Sequence, residues 1–277
     1  MDKKRIDVIS LGCSKNLVDS ERLLKQLELS GFQAFHNSDN VDGDIVIINT
    51  CGFIGDAKEE SINTILTYAE AKNEGRIKEL YVMGCLSERY RDDLLAEIPE
   101  IDRIYGKFDW VNIVSDIIKR NPATMPYDRV ITTPSHYTYL KIAEGCDNCC
   151  SYCIIPQLRG PYTSRPYDEV MAEARSLAAH GVKELIVVAQ DTTRYGEELT
   201  VKLLLPQLLR DLNELEGIKW IRVMYLYPNN FTDDLIAAFA ECDKVCKYID
   251  IPLQHASDRL LDSMNRYDTR AQVEELL

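Results

Sequence analysis

Cys146, Cys150 and Cys153 form a C-x3-C-x2-C set within Glu144-Gly145-Cys146-Asp147-Asn148-Cys149-Cys150-Ser151-Tyr152-Cys153, directly after a strand-like stretch. Thiolates this close together in sequence take up iron-sulfur clusters or zinc. A second parsing overlaps the first, because Cys146-x2-Cys149 followed by Cys150-x2-Cys153 gives four thiolates of zinc type. Four ligands close a metal site; three leave one coordination position for a small molecule, the difference between a structural and a catalytic centre. The C-terminal end of the first strand of a βα series is where catalytic groups gather in barrels. That context favours three ligands on a 4Fe-4S cluster with one open iron and Cys149 as a bystander, with zinc the alternative.

Three further cysteines, Cys13, Cys51 and Cys85, are far apart in sequence, yet each follows a strand-like run: Ser10-Leu11-Gly12-Cys13, Asn49-Thr50-Cys51 and Met83-Gly84-Cys85. Parallel strands put their C-terminal ends on one edge, where open α/β sheets bind ligands, so the three thiols are expected to converge. Gly12, Gly52 and Gly84 beside them let the backbone approach a bulky group. Cysteines at strand ends are also common as small buried residues. Beside another three-thiolate set, a second cluster is the better reading.

Stepping outward, Arg5-Leu11, Asp44-Asn49 and Leu80-Met83 read as strands. Between them Leu17, Leu23, Leu24 and Leu27 mark a helix ending at Gly31, and Ile62, Ile65, Leu66 and Ala69 share one face of another. This alternation predicts an α/β domain with a parallel sheet of Rossmann or flavodoxin type over residues 1–120. Asn121 to Ser135 lacks periodicity and reads as a linker. From His136 to 277 the alternation resumes, with strands at Tyr137-Ile142, Glu184-Ala189, Trp220-Met224 and Tyr248-Ile251 and helices at Tyr167-Ala179 and Leu203-Leu215. Four βα steps ending in the helix Thr269-Leu277 suggest a partial βα barrel in a chain cut short.

At 277 residues the chain accommodates two domains, and its longest apolar runs are too short to cross a bilayer. The start Met1-Asp2-Lys3-Lys4-Arg5 has no apolar segment of signal-peptide type, so a cytoplasmic protein is expected. Nine cysteines are then read as metal ligands rather than a disulfide framework. Cys242 and Cys246, four apart in a helix-like stretch, read as structural, and His36, His136 and His180 have no sequence partners. A net charge of −13 repels a phosphate backbone and suits a basic protein surface.

The wording Leu11-Gly12-Cys13-Ser14-Lys15-Asn16-Leu17-Val18-Asp19-Ser20-Glu21, Asn49-Thr50-Cys51-Gly52-Phe53-Ile54 and Ala189-Gln190-Asp191-Thr192-Thr193 resembles the methylthiotransferases of the radical S-adenosylmethionine superfamily. Tyr139 to Cys146, Ser164-Arg165-Pro166 and Asp250-Ile251-Pro252-Leu253-Gln254 carry the resemblance over essentially the whole chain. It implies two 4Fe-4S clusters, one on Cys13, Cys51 and Cys85 and one on Cys146, Cys150 and Cys153. The open iron of the second would chelate S-adenosylmethionine, whose reductive cleavage yields a 5′-deoxyadenosyl radical; the first would hold the sulfur that is methylated and transferred. Tyr152, the aromatic residue before the last cysteine, and Gln190 and Asp191, after the second barrel strand, are implied cofactor contacts, with helix capping the competing role for Asp191. Gln254 and His255 follow the fourth strand and are weaker candidates. The family's barrel has six βα units and a TRAM domain, so the last units are absent here, and the Cys149-Cys150 doublet leaves an alternative ligation open.

The wording is closest to the branch that methylthiolates the β-carbon of an aspartate in a small-subunit ribosomal protein, a basic substrate that suits the acidic chain. An electron donor such as flavodoxin or ferredoxin is implied, and RNA contact only through the absent C-terminal domain. The alternatives are the same chemistry on a tRNA adenosine, or a non-catalytic iron-sulfur or zinc module.

Overall fold

The computed structural model describes residues 4–38, 43–107, 109–118 and 128–277. Two compact units divide between Thr132 and Thr133. In the first, apolar runs form β1 (Arg5–Ser10), β2 (Gln33–His36), β3 (Ile45–Thr50), β4 (Glu79–Gly84) and β5 (Arg103–Ile104). Helices α1 (Ser14–Leu29), α2 (Gly55–Asn73), α3 (Cys85–Arg89), α4 (Arg91–Glu97) and α5 (Trp110–Ile118) connect and cover them. All strands pair in parallel in the order β2-β1-β3-β4-β5. Every residue of β3 is buried, as expected of a central strand covered on both faces. One face packs Val46, Ile48, Leu80 and Val82 against Ile65 and Ala69 of α2 and Leu94 of α4. The other packs Ile6, Val8, Ile45 and Ile47 against Leu23, Leu24 and Leu27 of α1.

Two expectations for this unit change. On α2, Ile65 and Ala69 are buried but Ile62 and Leu66 are exposed. Ile62 instead lines a groove of about 550 Å³ bounded by Leu86, Leu94 and Ile98. Residues 121–127 of the stretch read as a linker lie outside the described residues, whereas residues 128–132 are held on α1. There Glu21 is fully buried, ion-paired with buried Arg129, and accepts from the Thr132 N–H at 2.7 Å and its hydroxyl at 2.9 Å.

The second unit contains β6 (Tyr137–Lys141), β7 (Ala143–Glu144), α6 (Ile155–Arg159), β8 (Thr163–Ser164), α7 (Tyr167–Ala179) and β9 (Glu184–Val188). It continues through α8 (Glu197–Thr200), α9 (Leu205–Asn213), β10 (Trp220–Val223), α10 (Asp233–Glu241), α11 (Asp258–Ser263) and α12 (Arg270–Leu276). Strands β6, β9 and β10 lie side by side and parallel in chain order, the succession of a βα barrel. The antiparallel pair β7–β8 stands apart at the end of β6.

The expected fourth strand at Tyr248–Ile251 is not formed among the described residues. The chain meets β10 earlier, through a single parallel bridge of Val245 to Ile221. Tyr248 and Ile249 are about half exposed, at 45% and 50%, so the apolar run that suggested a strand has no burial to fix it in register. Cys242 and Cys246 do not share a helix either: α10 ends at Glu241, Cys242 caps it and is buried, and Cys246 lies beyond. Among the described residues no helix is long and apolar enough to cross a membrane.

Candidate cluster sites

The C-terminal ends of β1, β3 and β4, adjacent in the sheet, carry Cys13, Cys51 and Cys85. Thr50 and Gly84 are register partners, so Cys51 and Cys85, one residue beyond each, leave neighbouring strands at the same level. A Cβ added to Gly12 would lie 2.7 Å from Cys51 Cβ and 3.0 Å from its Sγ, which puts the Cys13 turn directly on Cys51. A Cβ on Gly52 would meet the Cys85–Leu86 backbone at 2.9–3.0 Å. Cys51 and Cys85 are buried and Cys13 is exposed, so the group opens outward at Cys13.

A polar network within this unit holds the three turns. The Asn16 amide donates to the carbonyls of Leu11 and Thr50, both at 3.0 Å, tying the residue before Gly12–Cys13 to the residue before Cys51. Asn49 donates to Asn16 O at 2.9 Å and Ser20 Oγ at 3.0 Å, and Ser20 Oγ donates to Ser10 Oγ at 2.9 Å. The Ser61 hydroxyl both accepts from Cys51 N and donates to Cys51 O, at 3.0 Å each. Thr50 Oγ1 donates to Met83 O at 2.6 Å, and Ser87 Oγ to Gly84 O and Tyr105 O at 3.1 and 2.7 Å. Asn16, Ser20 and Asn49 stand in the motifs around Cys13 and Cys51, where their nearness to the cysteines is the only sequence signal of this bracing role; Ser61 carries no such signal.

In the second unit the loop after β6 and β7 carries the other set. Gly145 has φ 74°, and a Cβ there would sit 2.0 Å from Pro161 O, so the loop is entered by a turn only glycine fits. Cys146 N donates to Gly160 O at 3.1 Å, and Asp147 accepts from Tyr162 N at 3.0 Å. Cys146, Cys150 and Cys153 are half-buried and Cys149 is exposed. Burial pushes the Cys146 thiol up to about 11, with Asp191, Cys153 and Cys150 adding to the shift. Burial, with Cys150 beside it, also raises Cys153. Cys150 therefore lies within electrostatic reach of both Cys146 and Cys153, whereas Cys149 is exposed, at φ 50°. Any metal bound here must displace thiol protons. Among the described residues no three His, Cys, Asp or Glu side chains already stand in a single-ion array.

Asp191, at the end of β9, is 1% exposed and accepts from Asn148 Nδ2 of the loop at 3.0 Å. It also accepts from Thr193 N at 3.1 Å and Thr193 Oγ1 at 2.5 Å, and burial raises its pKa. Its carboxylate thus supports the cysteine loop and caps its own turn at once. Gln190 beside it is half-buried. Thr192 donates through N to Tyr225 O and through Oγ1 to Met224 O, at 3.0 and 2.9 Å, fixing the end of β9 on that of β10. Tyr152 is 54% exposed; burial, with Cys150 beside it, raises its hydroxyl's pKa, and Arg266 acts against that shift. Glu144 joins Lys141 and Arg159 at 2.9 and 3.3 Å; burial alone would raise its carboxyl, but the two cations hold it at about 2. Gln254 and His255 are exposed, and the His255 Nδ1 accepts from Ser257 N in a local turn at 2.9 Å.

Residues 5–106 match the family model described as uncharacterized protein family UPF0004, and residues 140–277 match the radical SAM superfamily model. A solved structure of the radical S-adenosylmethionine methyltransferase TsrM from Kitasatospora setae, with cobalamin and a 4Fe-4S cluster bound, superposes with TM-score 0.67. It covers 99% of this chain and 66% of its own at 14% identity, a likeness of fold. Parallel βα succession, cysteine loop and family match agree: the chain belongs to the radical S-adenosylmethionine superfamily.

Within that superfamily it is RimO-like. It is 50% identical over its full length to the ribosomal protein uS12 methylthiotransferase RimO of Bacteroides fragilis, and 51% to that of Bacteroides thetaiotaomicron. The Porphyromonas gingivalis relative of the same name is 50% identical. The chain spans 64% of the length of these relatives.

Proposed function

We propose that the protein to which this chain belongs methylthiolates the β-carbon of an aspartate in the small-subunit ribosomal protein uS12, in the cytoplasm. The observation that carries the reading is the placement of Cys146, Cys150 and Cys153, each half-buried, on the loop after the first strand of a βα succession. In this proposal residues 136–277 form an incomplete radical barrel, residues 1–120 the methylthiotransferase amino-terminal domain, and residues 121–135 join them. Three thiolates and a spare position fit a 4Fe-4S cluster, and the second set, Cys13, Cys51 and Cys85, fits another at an open sheet edge.

When bound, such clusters supply one-electron cleavage of S-adenosylmethionine and a holding site for transferable sulfur. The chain's own residues bind and orient. Gly145 lets the backbone turn tightly under Pro161, Asp191 fixes Asn148 and so the loop's start, and Tyr152 with Gln190 and Asp191 would line the cofactor side. Asn16 and Ser61 set the spacing of the Cys13 and Cys51 turns. The required electron would come from a flavodoxin or ferredoxin. The −13 charge favours a basic protein substrate over a phosphate backbone.

The test is anaerobic reconstitution of the full-length protein with iron and sulfide, then incubation with S-adenosylmethionine, dithionite and either a uS12 peptide containing the aspartate or an RNA stem-loop. A methylthio mass increment on the peptide, with 5′-deoxyadenosine released, is expected. An increment on the RNA alone, or no 5′-deoxyadenosine, contradicts the proposal.

A further inference from the structure

The groove of about 550 Å³ that Ile62 lines runs between α2 and the helix pair α3–α4, wholly within the first unit. Its floor is fixed, because Leu86, Leu94 and Ile98 are buried members of that unit's core. Its wall on α2 is open to water. Ile62 is 38% exposed, and Leu66, one turn further along the same helix, is 47% exposed. Phe53 and Ile54, which lead into α2, are half exposed as well. Single exposed apolar residues are ordinary, but a strip of them beside a formed groove marks an interaction surface.

The rim of the groove is acidic. Glu59 of α2 and Asp93 and Glu97 of α4 line it, against Lys58 as the one cation in the lining among the described residues. All three carboxylates are on exposed residues, and none has an ion-pair partner among the described residues. Asp93 and Glu97 stand one turn apart on α4, a like-charge spacing that disfavours a helix until a cation neutralises it. A rim of this sign repels phosphate and attracts lysine and arginine. The place of the groove also matters, since Leu86 directly follows Cys85.

We infer that this groove docks a segment of the basic protein substrate in which large apolar side chains are flanked by lysine or arginine. The apolar side chains enter between Ile62 and Leu94, and the cations meet Glu59, Asp93 and Glu97. The inference rests on reading the substrate as the ribosomal protein uS12. A segment seated in the groove is held beside the Cys13, Cys51 and Cys85 edge, away from the bond that is made, so it contributes to substrate binding rather than to the radical chemistry. The apolar anchors govern how long the partner stays, and the rim charges govern how fast it arrives.

The experiment follows the binding of purified uS12 to the reconstituted full-length protein by stopped-flow fluorescence anisotropy at low and high salt, comparing parent, I62Q and D93N/E97Q. I62Q should weaken binding about tenfold at both salt concentrations, through faster dissociation. D93N/E97Q should slow association at low salt and lose that difference at high salt. Both variants replace exposed side chains, so both should keep the parent's melting temperature, iron content and 5′-deoxyadenosine yield. A parent that neither binds nor methylthiolates uS12 overturns the substrate reading and this inference with it. A parent that binds uS12, with both variants binding equally well, overturns this inference alone. So does an I62Q protein whose self-association changes in sedimentation while its affinity for uS12 stays, which assigns the groove to a second copy of the chain.

Discussion

Cys149 and Cys150 are neighbours with different surroundings: the first is exposed in a left-handed turn, the second is half-buried within electrostatic reach of Cys146 and Cys153. Replacing Cys150 by serine should therefore abolish the cluster of this loop, while Cys149→Ser should retain it; iron and labile sulfide analysis of the two variants decides. His36 offers a test of stability. It ends β2, its Nε2 is buried without a hydrogen-bond partner among the described residues, and burial lowers its pKa below 6.5, partly offset by Glu21. The folded state thus binds fewer protons at this position than the unfolded chain. Stability should fall as pH drops through 6.5 toward the folded value, where the loss levels off. Urea midpoints measured across that window should show a slope that His36→Gln reduces.

At the scale of elements, the strands that deliver the cysteines could be read from apolar runs, because β1, β3, β4 and β6 are long enough for burial to impose a pattern. Strands β2 and β5, of four and two residues, are too short and too exposed in part to leave one. The supposed strand at Tyr248–Ile251 misled because local apolar content does not report whether a neighbouring element covers it. The cysteines of both sets were legible by type and position, but not what braces them. Asn16 meets Thr50 across 34 residues and Asn265 meets Cys149 across 116, distances over which no periodicity acts. Asn16→Ala removes one amide serving two carbonyls, the second of them buried, and should cost about 1–3 kcal/mol in chemical denaturation of the amino-terminal unit. The same variant should lower iron retention at Cys13, Cys51 and Cys85 without affecting the other set.

In the whole molecule each unit carries one three-cysteine set, and the proposed chemistry gives each set a different task. Replacing Cys13, Cys51 and Cys85 together by alanine should halve the iron of the reconstituted protein, end methylthio transfer and leave 5′-deoxyadenosine formation intact. The acidic character of the chain is consistent with a basic partner but does not select one; selection lies in the chemistry of the product. The central claim is that Cys146, Cys150 and Cys153 hold a cluster with an iron open to S-adenosylmethionine. It is tested most directly by EPR of the reduced Cys13/Cys51/Cys85 triple-alanine protein before and after S-adenosylmethionine is added. A single cluster whose signal changes on addition, with 5′-deoxyadenosine released, is the predicted result; bound zinc in place of iron, or a cluster signal indifferent to S-adenosylmethionine, would contradict it.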